Sequence, residues 1–131
     1  MVETGFVLGR NKWSVTAFLD VGGISDLNVV YNALMRAGSP DFKAREACMV
    51  ISQKDKGYTY TNYDRHITIM IVGKASSREQ MFDSIEHETK HVTEHISEYY
   101  GVNPKSEESA YLQGEIGRLL FPAVSYVLCQ C

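Results

Sequence analysis

No apolar run in this chain approaches the length of a membrane span, and the N-terminus has no basic-then-apolar leader, so neither a spanning helix nor a secretory signal is expected. Cysteine is scarce and odd in number. Cys48, Cys129 and Cys131 do not look like a disulfide framework, and a terminal Cys-x-Cys pair without a second half reads as a tail. That usage fits synthesis in a reducing cytoplasm, with packaging or release left open. Positive charge is not in excess: 13 Lys and Arg against 16 Asp and Glu give a net charge of -3, so no basic face for nucleic acid is expected. Internal repeats, low-complexity segments and linkers are absent as well. What remains is 131 residues at 44% hydrophobic content, enough for one domain to bury its own core.

Lys12 to Val21 alternates, with Trp13, Val15, Ala17 and Leu19 on one face, and predicts a strand broken by Gly22-Gly23. Ser25 or Asp26 can cap a short helix with Leu27, Val30, Tyr31 and Leu34 at helical spacing, stopped by Gly38. Ser39-Pro40 starts a second helix with proline at its first position, carrying Ala44, Ala47, Cys48 and Ile51 inward and ending by Gly57. Tyr58–Asn62 and His66–Val72 read as strands joined at Tyr63-Asp64-Arg65. The second places Ile67, Ile69 and Ile71 on one side, and its far end looks covered on both faces. A capping box, Ser77 with Gln80, opens a long helix that Gly101 ends. Ser106 caps a last helix from Glu107 to about Phe121, with Leu112, Ile116, Leu119 and Leu120 inward. Pro122 is expected to kink or end it before an apolar tail. The fold class is α+β, with about three strands in a mostly antiparallel sheet.

Within the long helix stands His87-Glu88-Thr89-Lys90-His91. Histidines four apart share a helix face one turn apart, close enough to hold one ion, and the intervening glutamate can reach a metal-bound water without ligating the metal. Taking ~100° per residue with His91 at zero, Phe82, Ile85, Val92, Ile96 and Tyr99 fall between roughly 80° and 180°, a core face. Glu86, Lys90, Glu94 and Ser97 fall opposite, toward solvent. The two histidines and Glu88 lie at the margin of the core face, where a metal site is supported on one side and open on the other. His95 continues the stripe, but it lies ~12 Å from His87 along the axis, too far to share one zinc, and reads as a surface or hydrogen-bonding residue.

A hydrolytic zinc site typically takes three protein ligands. His87 and His91 supply two, and the third is expected from the helix after Pro104, where Glu107 and Glu108 stand 16 and 17 residues beyond His91. Glu88 is the expected general base on a water attacking a peptide carbonyl. His66 reads as structural, and Tyr58, Tyr60 and Tyr63, without a basic stripe, as packing.

His87-Glu88-x-x-His91 followed by Glu107-x-x-Ala110-Tyr111 resembles a compact gluzincin, with two histidines and a later glutamate. The wider run from Tyr58 to Leu120 is similar to small His-Glu-x-x-His proteins encoded by bacteriophages and prophages of gut bacteria. The resemblance implies a zincin-like domain over residues 1–131, Zn2+ as cofactor, and a peptide or protein as substrate. It also implies Glu107 rather than Glu108 as third ligand, and the strand His66–Val72 as the cleft edge. Tyr111, one turn after Glu107, is the best candidate to stabilise the oxyanion, ahead of Arg65 and His66. The site implied is thus His87, His91 and Glu107 on the metal, with Glu88 and Tyr111 in catalysis, in a bacterial host's cytoplasm or associated with a virion. Charged Glu86 and Lys90 depart from the strict zincin signature, at positions expected to face solvent. The other reading is a virion or interaction protein on such a scaffold, with a structural metal or none.

Overall fold

The computed structural model describes residues 1–9 and 12–131. In chain order the elements are β1 (Val2–Leu8), β2 (Trp13–Val21), α1 (Gly23–Arg36), α2 (Asp41–Ile51), β3 (Gly57–Asn62), β4 (Ile67–Gly73), α3 (Arg78–Tyr99) and α4 (Glu107–Gln130). The class is α+β. The sheet, however, has four strands in the order β1-β2-β4-β3 and is mixed, not a mostly antiparallel trio. β1 pairs antiparallel with β2 and β3 antiparallel with β4, while the central pair β2 and β4 runs parallel.

Residue alternation explains why helices cover both faces of the sheet. Trp13, Val15, Ala17 and Leu19 of β2, with Met70 and Val72 of β4, meet Met81, Ile85, Val92 and Ile96 of α3 and Ile116, Leu120 and Val127 of α4. On the other face, Phe18 with Ile69 and Ile71 meets Val30 and Leu34 of α1 and Ala44, Ala47 and Ile51 of α2. A strand buried on both faces needs apolar residues at successive positions, which β4 supplies from Ile69 to Val72. The parallel register shifts between Phe18 and Val21, where Asp20 takes a positive φ of 64°. That irregularity turns Val21 to the face opposite Leu19.

Most helix boundaries follow local signals. Ser77 accepts a hydrogen bond from the Gln80 N–H, and Ser106 accepts one from the Ser109 N–H. Gly38 and Gly101 take positive φ just beyond their helices. α1 begins at Gly23, ahead of the expected cap, and Pro40 sits at the N-cap of α2 rather than at its first helical position.

Three expectations need correction. β1 was not anticipated from sequence, although Val2, Thr4, Phe6 and Leu8 are its more buried positions and alternate. α4 runs through Pro122 to Gln130. Ala123 and Val127 extend the buried stripe of Ile116 and Leu120, while Pro122 and Arg118 lie on the exposed side, so the missing N–H leaves an acceptor outside the core. On α3, Phe82 is 50% exposed and Tyr99 46%, whereas Ser97, expected in solvent, is buried. The buried face of α3 is rotated to include Thr89, Thr93 and Ser97, because α4 packs there. No described helix is long and apolar enough to cross a membrane.

Candidate metal centre

β3, and not β4, is the free edge of the sheet on this side, since β3 pairs only with β4 while β4 lies between β2 and β3. The expected cleft-edge role of His66–Val72 therefore passes to Gly57–Asn62. Alternate residues of β3 turn toward α3. Thr59 Oγ1–H donates to Glu88 Oε1 at 2.8 Å, and Thr61 Oγ1 lies 2.8 Å from His95 Nδ1. Gly57 lies directly beneath Glu88. Tyr58 and Tyr60, on the other face, pack against the α1–α2 side. The expectation that these tyrosines pack holds for that pair, and the Tyr58 hydroxyl donates to Glu46. Burial and that carboxylate push the Tyr58 pKa up.

A cleft of about 270 Å³ opens between the two elements, lined by Gly57, Tyr58, Thr59, His87, Glu88, His91 and His95. The Nε2 atoms of His87 and His91 are 3.1 Å apart, and Glu88 Oε2 is 3.9 Å from His87 Nε2. One donor atom from each of these three residues lies within 4.8 Å of the others. Glu88 is only 4% exposed, whereas the His87 side chain is 65% exposed. A buried carboxylate thus faces two imidazoles that open to solvent. Glu94 Oε2 stands 4.0 Å from His91 Nδ1, on the far side of the ring from His87.

The imidazole spacing suits a metal. Tetrahedral zinc, at about 2.05 Å from each nitrogen, separates two ligands by roughly 3.3 Å. The same separation is that of an N–H···N hydrogen bond between the two rings, and a cation can take the place of the shared hydrogen. Two imidazole nitrogens are donors that zinc accepts, and Glu88 stands beside them, within reach of a water on such a metal.

Glu107 and Tyr111 do not join this group. The buried stripe of α3 meets α4 where Ser97 and Ser109 hydroxyls lie 2.9 Å apart. Ser97 is six residues beyond His91, about 9 Å along the axis and about 120° around it. Glu107 opens α4 beside that far end. Tyr111, 72% exposed, and Glu108 instead line a separate cleft of about 380 Å³ with Leu8, Ile96, Tyr100, Leu112 and Glu115. The short turn through Val102–Ser106 sets this register: residues of α4 level with His91 fall near Ile116, which is core. The expected convergence of Glu107 on the histidine pair, and of Tyr111 on its substrate, is not what the helix register gives.

His66 is not among the residues that line the cleft. It stacks on Trp13 with ring centroids 4.6 Å apart and planes 8° apart, and its Nε2 lies 3.2 Å from the Tyr99 hydroxyl. Arg65 donates to the Arg36 carbonyl, which ties it to the end of α1. His95, read as a surface or hydrogen-bonding residue, is half-buried in the cleft wall. Burial, then His91, hold its pKa below the usual 6.5 against the pull of Glu98 and Glu94. All three cysteines are free, and burial raises the Cys48 thiol.

No family model, curated protein or solved structure matches this chain.

Proposed function

We propose that this chain is a zinc-dependent hydrolase of peptide bonds, with a site on α3 against the edge of β3. The observation that carries the reading is the pair of Nε2 atoms 3.1 Å apart, set beside a buried glutamate whose other oxygen is held by Thr59. His87 and His91 would hold the metal, with its remaining positions left to water and substrate. Bound zinc supplies a water acidified to a pKa of about 7 and a Lewis acid for a carbonyl. Glu88 takes the proton of the attacking water and returns it to the departing amine nitrogen. Thr59 anchors Oε1, which leaves Oε2 on the histidine side to do this work. As an edge strand, β3 offers an extended substrate N–H and C=O groups that no neighbouring strand pairs, beside the cleft.

The gluzincin resemblance supports the helix part of this reading; the later glutamate that it implies, Glu107, is not among the residues grouped with the pair. Glu107's place at the far end of the α3–α4 contact favours a second reading, a virion or interaction protein on a zincin-like scaffold with structural or no metal. One experiment separates them. Protein purified without added zinc is assayed for metal and then for cleavage of a proteome-derived peptide library. The hydrolase reading expects about one zinc per chain and cleavage, with Glu88→Gln keeping the zinc and losing hydrolysis, and His87→Ala losing the zinc. Zinc in both wild type and Glu88→Gln, with cleavage by neither, leaves the scaffold reading.

A further inference from the structure

A line of hydrogen bonds runs from the core to the cleft. Trp13 Nε1–H donates to Thr68 Oγ1 at 2.9 Å, Thr68 Oγ1 lies 2.9 Å from Thr61 Oγ1, and Thr61 Oγ1 lies 2.8 Å from His95 Nδ1. Counting hydrogens gives the line a direction. The indole N–H can only donate, so Thr68 accepts there. Trp13 and Thr68 are fully buried. The Thr68 hydroxyl hydrogen therefore needs a protein acceptor, and the oxygen at hydrogen-bond distance is Thr61 Oγ1. Thr61, having accepted that hydrogen, has its own free to turn to His95 Nδ1, the acceptor at hydrogen-bond distance. The opposite direction would bury the Thr68 hydrogen with no acceptor. In this direction the imidazole accepts at Nδ1 and, when neutral, carries its hydrogen on Nε2.

We infer that His95 presents Nε2–H to the cleft and donates it to the carbonyl oxygen of the bound peptide, the role expected of Tyr111 from sequence. This inference rests on the peptidase reading above. The geometry fits a donor: His95 shares the cleft wall with His87, Glu88 and His91, and its ring centroid is 6.2 Å from that of His91. As the water oxygen bonds to the carbonyl carbon, the C=O π pair moves onto the carbonyl oxygen. It returns when the C–N bond breaks and the amine leaves with the proton carried by Glu88. His95 gives up no proton in either step. It stabilises the charge that appears on oxygen between them, as a fixed neutral donor does. The same tautomer excludes His95 as a metal ligand through Nε2, so the hydrogen-bond line also keeps the third histidine of the stripe off the metal.

Two measurements test this. Long-range 1H–15N correlation spectra of histidine-labelled protein, without substrate, read the tautomer directly. Nε2–H at His95 is expected, and Nδ1–H overturns the inference whatever the activity. Kinetics on a cleaved library peptide then compare His95→Phe, which removes the donor, with His95→Gln, whose amide N–H can stand near the Nε2 position. The expected result is a fall in kcat of about 100-fold for His95→Phe at unchanged zinc content, with substantial recovery in His95→Gln. An unchanged kcat in His95→Phe, or equal losses in both variants, overturns the catalytic role. If the wild type shows Nε2–H yet holds no zinc and cleaves nothing, the peptidase reading falls and takes that role with it, while the hydrogen-bond line stands.

Discussion

Gly57 lies so close beneath Glu88 that a Cβ added to it would sit 2.5 Å from Glu88 Cγ and 2.7 Å from Oε2. Gly57 is not among the residues of positive φ, so space, and not backbone freedom, is what glycine provides here. The edge strand and the helix approach each other at the point where the proposed general base stands. Gly57→Ala must push Glu88 out of place. The expected outcome is a destabilisation of about 1–3 kcal/mol, as for other overpacked sites. Hydrolysis should fall at least about tenfold with zinc content unchanged. Urea unfolding, metal analysis and peptide cleavage on one preparation would show it, and full activity in the variant would refute the positioning argument.

Thr59 is the hydrogen-bond donor to the buried Glu88 carboxylate. Thr59→Val preserves the shape of the side chain and removes that donor, at an expected cost of about 1–3 kcal/mol. Thr59→Ser should restore both stability and turnover. Equal stability of wild type and the valine variant would mean that the hydroxyl contributes nothing to holding Glu88.

Tyr111 lines the second cleft, and Glu107 opens α4 at the far end of the α3–α4 contact. Glu107→Ala and Tyr111→Phe are therefore expected to leave zinc affinity and kcat within about twofold of wild type. Exposed positions of this kind change stability by no more than about 0.5 kcal/mol. Isothermal titration of zinc into the metal-free protein measures the first effect. A tenfold or larger loss in Glu107→Ala would restore the ligand set implied by the gluzincin resemblance.

Asp55 closes a clasp between the two walls of the cleft. Its carboxylate accepts from the N–H and the hydroxyl of Ser76, each at 2.8 Å, just ahead of α3, and its own N–H donates to the Lys74 carbonyl. Those two bonds from Ser76 hold the Asp55 pKa below the ordinary 3.8. The unfolded chain then takes up this proton at higher pH than the folded chain does. The stabilising contribution is complete above about 3.8 and is lost as pH falls through the lower folded value. Thermal melts across the acid range should show a steeper loss for wild type than for Asp55→Asn. Identical slopes would mean that the clasp does not discriminate charge.

Pro122 lies inside α4 on its exposed side. Pro122→Ala supplies the N–H that the Arg118 carbonyl lacks and removes the ring's clash with that turn. A gain of about 1–3 kcal/mol is expected, read as a higher Tm. An unchanged Tm would mean that the helix has already relaxed around the ring.

Local signals were legible in the chain because their physics is local. Ser77 and Ser106 cap their helices through donors three residues on, Gly38 and Gly101 stop helices by accepting positive φ, and His87 and His91 meet because they are one turn apart. The inward alternation of Trp13, Val15, Ala17 and Leu19 was equally readable. Pairings between distant segments were not. That β2 lies parallel to β4, which leaves β3 at the edge, depends on how two helices fold over the sheet and not on any residue within the strands. The departure of Glu107 has the same origin. A glutamate 16 residues after a histidine can reach it only if the intervening turn lets the next helix start alongside, and here the Ser97–Ser109 contact fixes a register that carries it past.

The sequence by itself determined that two imidazoles and a carboxylate share one helical face, since 3.6 residues per turn requires it. Only the tertiary structure decided what confronts that face. Packing α3 against the edge strand buried Glu88 over Gly57 and Thr59 and brought His95 to Thr61, while α4 filled the opposite side with core residues.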